Sequence, residues 1–342
     1  MLEIVKQISE DEWKRFLNKR SDATLYHTPE WRAFLEKTFG YEPTYLFATD
    51  KSGQLTGILP LFYVKSRLTG NRLCSAPFSH DCGCLGGGFV RSALIDEALA
   101  LKDKFRVDGI EIRSAVDDTR FQEKNTFCTH VLELSQRPEE TWKRLDRSSV
   151  RWAIKKAERS GVSVASSKNE EDLKEFYELN CITKQKLGVP CHPWNFFKDM
   201  FSILDGHVQM YLSRHEGCII AGGIMEYYKD QVLYGYGAAN PKCLDLHPYN
   251  AFIWKSIEDA CLNGYRTYDF GRTSYDNAGL INFKKKWGTK ENEMHYSFYP
   301  APSESFVANR KSKVYRLGNS VIRLIPMPAY KALSTAIFSH FG

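Results

Sequence analysis

Tyr265-Arg-Thr-Tyr-Asp-Phe-Gly-Arg272, followed after ten residues by Phe283-Lys-Lys-Lys-Trp-Gly288, is the stretch on which the fold turns. The first part predicts a strand ending at a glycine turn, and the second a short basic helix closed by Trp287-Gly288. Asp269, Arg272 and Lys284 are thereby set on the loop side of a sheet edge, where functional side chains are usually carried. Upstream, Val232-Leu-Tyr-Gly-Tyr-Gly-Ala-Ala239 reads as an apolar, aromatic strand, and residues 250–263 as the helix joining it to the first.

Working outward, the chain repeats one device. Residues 44–50 and 55–64 alternate apolar side chains around a turn containing Gly53, as do 208–214 and 218–228 around Gly217. Both are predicted hairpins. Helical stretches precede each one, at 11–18 and 29–38 in the first half and at 171–187 and 194–204 in the second. This order predicts a duplicated α+β domain. The expected limits are 1–135 and 136–300, each hairpin central to its own sheet, with residues 301–342 a basic amphipathic tail returning to the first domain.

The block from Tyr234 to Trp287 resembles the FemAB family, whose members transfer aminoacyl or acyl groups to amines on cell-envelope precursors and are built from tandem acetyltransferase-like (GNAT) domains. Tyr26-His-Thr-Pro-Glu-Trp31, Phe39-Gly-Tyr-Glu-Pro43, Gly57-Ile-Leu-Pro60 and Ser75-Ala-Pro-Phe78 are similar to the N-terminal domain of such proteins, so the likeness spans residues 26–299. It implies two tandem GNAT-like domains. The span between Gly161 and Val208 leaves no room for the long coiled-coil arm that relatives often carry. It also implies that Phe283 and Lys284 lie beside the donor end; Tyr234, Tyr236, Asp269, Arg272, Arg151 and Trp31 are the candidate substrate contacts. The implied donor is an aminoacyl-tRNA or acyl thioester, the acceptor an amine-bearing envelope precursor, and no bound cofactor is expected. Cys82 and Cys84 depart from the aromatic and glycines that relatives tend to carry in that loop.

The residues have plainer readings beside these. Acyl transfer develops a negative oxygen that an ammonium stabilises, yet a basic helix end such as Lys284-Lys-Lys286 also complements the macrodipole with no substrate. Asp269 reads as a turn or salt-bridge residue as well as a catalytic one. A kinase Asp-Phe-Gly is excluded, because no glycine-rich loop or His-Arg-Asp segment accompanies it. Arg272 suits bidentate anion binding but is also an ordinary surface residue. Residues 139–159 predict one amphipathic helix with Trp142, Leu145, Ser149, Trp152, Ala153 and Ala157 on one side. Arg144, Arg147, Arg151, Lys155 and Arg159 fall on the other, either as a solvated face or as a polyanion contact. The loop 240–248 lacks the glycines that cradle a pyrophosphate at a helix N-terminus and adds Asp245, which disfavours coenzyme A there.

No metal is expected at His80-Asp-Cys-Gly-Cys84, whose spacing is not that of a zinc knuckle. Nine scattered cysteines point to free thiols in a reducing cytoplasm. Of 47 basic residues six follow Phe306, where no acid occurs, leaving 41 against 41 acidic elsewhere. That excludes a globally cationic nucleic-acid binder. Tail stripes Val314-Leu317-Val321-Leu324 and Tyr330-Leu333-Ile337-Phe341 suit either an anionic membrane surface at the inner face or packing on the first domain. Three functions follow: the envelope transferase, a coenzyme A-dependent N-acyltransferase on the same fold, and a non-catalytic binding module in envelope assembly.

Overall fold

A computed structural model describes residues 2–301 and 313–342, with the side chains of 313–318 also left aside. The chain divides into two compact units, one of Met1–Asn125, Met294–Tyr315 and Ala336–Gly342, the other of Thr126–Glu293 and Arg316–Thr335.

The first unit opens with β1 (Glu3–Val5), α1 (Glu10–Asn18) and α2 (Pro29–Phe39). Thr28 caps α2, its hydroxyl accepting from Trp31 N at 3.2 Å, with Pro29 in the first turn where no amide is needed. β2 (Glu42–Pro43), β3 (Leu46–Thr49), β4 (Leu55–Leu59), β5 (Leu61–Val64) and β6 (Arg72–Ser75) follow. Helix α3 (Gly88–Phe105) then crosses over to β7 (Gly109–Ile112), which is parallel to β6. Pro60 interrupts the second arm of the first hairpin. β4 stays with β3 and β1 in a three-stranded sheet, while β5 joins β2 and β6, as a residue without an N–H ends a ladder.

β8 (Gln122–Glu133) leads into the second unit. There α4 (Pro138–Arg144), α5 (Trp152–Arg159), β9 (Ser163–Ser167), α6 (Glu170–Leu187) and α7 (Trp194–Ile203) precede the hairpin of β10 (Val208–His215) and β11 (Cys218–Tyr228). The hairpin turns at Glu216 and Gly217, both at positive φ, as a tight two-residue connection requires. β12 (Gln231–Ala239) is followed by α8 (Pro248–Leu262) and β13 (Thr267–Asp269), parallel to β12. The β6-α3-β7 crossover of the first unit is thus repeated as β12-α8-β13. β14 (Thr273–Ser274), α9 (Ala278–Lys285) and β15 (Lys290–Tyr299) complete the body, and α10 (Lys313–Leu324) and α11 (Met327–Phe338) the tail.

The strand order is β2-β5-β6-β7-β15 in one set and β8-β13-β12-β11-β10-β9 in the other. The division between units passes through β8 and β15. The expectation that each hairpin is central to its own sheet is corrected for the first, whose second arm is shared between two sheets at Pro60.

Two further expectations change. The helix over 139–159 breaks at Leu145-Asp146. Asp146 recaps the chain by accepting from Ser149 N at 2.8 Å, and its own amide donates to Lys286 O at 2.9 Å. After this break Val150, Ala153, Ile154 and Ala157 are buried, while Trp152 turns outward, 52% exposed. The tail does not simply return to the first unit: it is divided, with Arg316–Thr335 joining the second unit and Ala336–Gly342 the first. Tyr330 is buried among Cys181, Cys191, Ile322, Ile325 and Met327, and its hydroxyl donates to Val189 O at 2.7 Å. Gln185 Nε2 donates to Ile325 O at 2.6 Å. Val321, Leu324 and Leu333 stay exposed. Pro302, Arg310 and Lys311, and the side chains of Val314 and Leu317, lie outside the described residues.

Truncating a buried aromatic to alanine costs about 3–5 kcal/mol. Tyr330→Ala should lower the urea unfolding midpoint accordingly, whereas an unchanged midpoint would show that α11 lies loosely on the second unit.

Candidate active site

In the second unit, β12 and β13 pair only over three positions, Gln231 with Thr267, Val232 with Tyr268 and Leu233 with Asp269. Beyond them β12 continues on β11 to Ala239, while the other chain turns away at Gly271, which is at positive φ. The two strands part at their carboxyl ends, the place where parallel sheets with helical crossovers take ligands.

The turn at that fork is held from several sides. The Asp269 carboxylate accepts from Gly271 N at 2.7 Å and from the Thr129 hydroxyl on β8. Phe270 N donates to His130 O at 2.9 Å. Lys284 Nζ donates to Gly271 O at 2.6 Å. Lys284 is 3% exposed, whereas Lys285 and Lys286 beside it are exposed. Buried lysines are rare without a partner, so the solvated basic helix end describes the latter two and not Lys284. Burial pushes the Lys284 ammonium down to about 8, opposed by Asp269 and Cys128. Burial likewise raises Asp269, against its hydrogen bonds from Thr129 and Gly271 and the charge of Lys284. An ammonium carries three donors, and the one given to Gly271 leaves two for an incoming oxygen. Asp269 holds the turn through Oδ1, which is a positioning role.

α9 is placed by its two ends. Asn277 caps it, accepting from Leu280 N at 3.2 Å, and Gly288 closes it at positive φ. A β-carbon at Gly288 would stand 2.8 Å from Arg144 O, so only glycine lets this turn lie against the end of α4. Phe283 packs edge-on to Trp287 with ring centres 6.1 Å apart, at the margin of the main core cluster.

The two tyrosines of β12 separate. A bulge shifts the register so that Ile224 faces Tyr236 and Met225 faces Tyr234, and the extra residue, Gly235, sends the two rings to opposite sides of the sheet. Tyr234 packs on Phe252 of α8, lying so close over Gly237 that a β-carbon there would overlap its hydroxyl. Tyr236 packs on Phe196 and Phe197 of α7. Burial raises the Tyr236 phenol, with Glu226 adding to the rise and Arg272 opposing it. Tyr236, Arg272 and Glu226 therefore share one electrostatic neighbourhood, and Tyr234 belongs with the core. Arg272 is exposed and lies over the Phe127 ring, 4.6 Å from its centre.

Arg151 is half-buried, and its Nε lacks a hydrogen-bond partner. Trp31 lies in the first unit with no exposed surface, edge-on to Tyr26 and Phe34. Its substrate role is corrected to a core role, because a fully covered ring offers a substrate nothing to touch. Sequence reasoning missed Glu226, Thr129, Cys128, His130 and Glu291. The alternation Cys128-Thr-His130 along β8 was the available signal, since i and i+2 share a strand face. In the loop 240–248, Pro248 begins α8 and so removes one of the amides an anion would use.

Residues 145–285 match the family model for an acetyltransferase (GNAT) domain. No curated protein matches the sequence significantly. Among solved structures, a crystal structure of FemX is similar over 86% of this chain and 96% of that one, at 18% identity and a TM-score of 0.70. The structure of L-PGS from Bacillus licheniformis is similar over 86% and 95%, at 13% identity and a TM-score of 0.53. A tandem GNAT protein from the clavulanic acid biosynthesis pathway follows over 87% and 98%, at 11% identity and a TM-score of 0.54. The fold is that of tandem GNAT-like domains, and at this level the resemblance to FemAB-like transferases is supported. No long coiled-coil arm occurs among the described residues.

A lysine whose value is depressed by folding carries a penalty on its charged form that disappears as it deprotonates. Stability therefore rises with pH between about 8 and the ordinary lysine value of about 10.4. Urea unfolding should show wild type gaining on Lys284→Met across that window. A constant difference would mean that Lys284 titrates as an exposed side chain.

Proposed function

We propose that the protein is a GNAT-type transferase that moves an aminoacyl or acyl group from an aminoacyl-tRNA or acyl thioester to an amine of a cell-envelope precursor. The observation that carries this reading is the burial of Lys284 at the fork of β12 and β13, with two donors to spare. The acceptor nitrogen attacks the donor carbonyl, a C–N bond forms, the ester C–O or thioester C–S bond breaks, and the nitrogen loses a proton. Charge on the carbonyl oxygen rises in the tetrahedral intermediate, and an ammonium held in a dry site stabilises it without reorganising. Phe283, beside it on α9, contributes apolar cover. Arg272 and Tyr236 suit the polar part of a substrate.

The donor is argued from charge and from the loop before α8. Arg147, Lys155 and Arg159 are exposed along α5 and the turn before it, with Arg151 half-buried among them. Such a row attracts a polyanion in a salt-dependent way. The glycine-free loop and Pro248 give a coenzyme A pyrophosphate few amides, which favours aminoacyl-tRNA over the coenzyme. Among the described residues no helix is long and apolar enough to cross a membrane. Exposed Val321 and Leu324, flanking Arg323, supply the contact by which the tail reaches a lipid-linked acceptor at an anionic leaflet.

Lys284→Ala should lower kcat by roughly 10²-fold or more with the circular dichroism spectrum kept. An undiminished kcat would remove the oxyanion role. Full-length protein should co-sediment with anionic vesicles at low salt, and Leu324→Ser should release it. Protein that stays in the supernatant would leave α10 and α11 as packing elements alone.

A further inference from the structure

On the strand that holds the Asp269 turn, Cys128 and His130 share one face of β8, and Glu291 reaches them from the neighbouring β15. The Cys128 Sγ, a ring nitrogen of His130 and a carboxylate oxygen of Glu291 all lie within 4.8 Å of one another. His130 is fully buried, yet neither of its ring nitrogens has a hydrogen-bond partner. Buried imidazoles are normally bonded at least once, so two orphaned nitrogens ask what fills the gap. Nε2 stands 3.5 Å from Glu291 Oε2.

We propose that Cys128, His130 and Glu291 bind a single zinc ion. Thiolate, imidazole and carboxylate are the donors zinc takes, at about 2.0–2.3 Å. Tetrahedral placement at those lengths sets ligand atoms roughly 3.5 Å apart. The His130–Glu291 edge already has that length, and the Cys128 edges need to close by at most about 1.3 Å on that reckoning. Magnesium and calcium, which select oxygen ligands, do not suit a thiol and an imidazole. Three ligands leave a fourth position open, and the half-exposed Glu291 is the side from which an ion enters.

Two cations face the group. Lys285 Nζ lies 2.8 Å from Glu291 Oε2, and Lys284 acts on both Cys128 and His130. Lys285 thus stands as the counter-charge of Glu291, and its half-exposed side chain can leave for solvent when an ion arrives. A nucleophilic thiol is the rival use of the same residues. It would require a bulky acyl donor to reach Cys128, which has no exposed surface.

The test uses reduced, chelator-stripped full-length protein titrated with Co²⁺ and then Zn²⁺. One equivalent of Co²⁺ should bind with thiolate-to-cobalt charge-transfer absorption, which Zn²⁺ bleaches. Cys128→Ser should abolish the band, and Glu291→Gln should weaken binding at least tenfold. Lys285→Ala should strengthen binding several-fold by freeing the carboxylate. The idea fails if wild type gives no such band, or if the band survives in Cys128→Ser and so belongs to another of the nine cysteines. If Cys128→Ser does not fold, the two variants at partly exposed positions decide, and unchanged affinity in both overturns the site.

Discussion

One carbonyl and one amide, both of Gly271, organise the second unit. The carbonyl takes the Lys284 ammonium and the amide is held by Asp269. Through the first bond α9 is fixed to the end of β13, and through the second β13 is fixed to Thr129 of β8. Because Lys284 is buried, the first bond acts in a medium where an unmade partner is costly. The same geometry that ties the turn places a cation at the point where two parallel strands separate. Structure and chemistry are served there by one side chain.

The bulge at Gly235 does the complementary work. It moves one tyrosine into the core against α8 and leaves the other facing Glu226 and Arg272. The glycines at 235 and 237 each leave room for a different side chain. Glu226 stands 2.9 Å from where a β-carbon of the first would lie, and the Tyr234 hydroxyl occupies the space of the second. The alternating Tyr-Gly-Tyr-Gly is thus a record of two close approaches on opposite faces.

Much of this was legible in the residues. The hairpins around Gly53 and Gly217, the Thr28-Pro29 cap and the strand-helix-strand order through Phe270 follow from turn chemistry and period alone. That Lys284 differs from its two neighbours did not follow from period, since all three lie in one basic run, and only the family resemblance pointed to it. The break at Leu145-Asp146 was hidden because apolar spacing runs through it unchanged. What ends the helix is Asp146 capping Ser149 and meeting Lys286, a contact set by a segment far along the chain. The same distance concealed the approach of Glu291 to Cys128 and His130. Pro60 was visible, but its effect, passing the chain from one sheet to another, depends on which strands wait on either side.

The order in which the chain builds its units has a consequence for how it is made. The first unit takes its residues from three separated segments, the last of them Ala336–Gly342. Ile112 on β7 must wait for Ser297 of β15, and the ring of Phe78 for that of Phe338. Contacts so distant in sequence are slow to form, since loop closure precedes their reward. During synthesis the early segment therefore emerges with β7 lacking one neighbour, while the body of the second unit arrives as one continuous stretch. The part translated first is the part completed last, and until β15 appears it exposes an unpaired strand edge to whatever else is folding nearby.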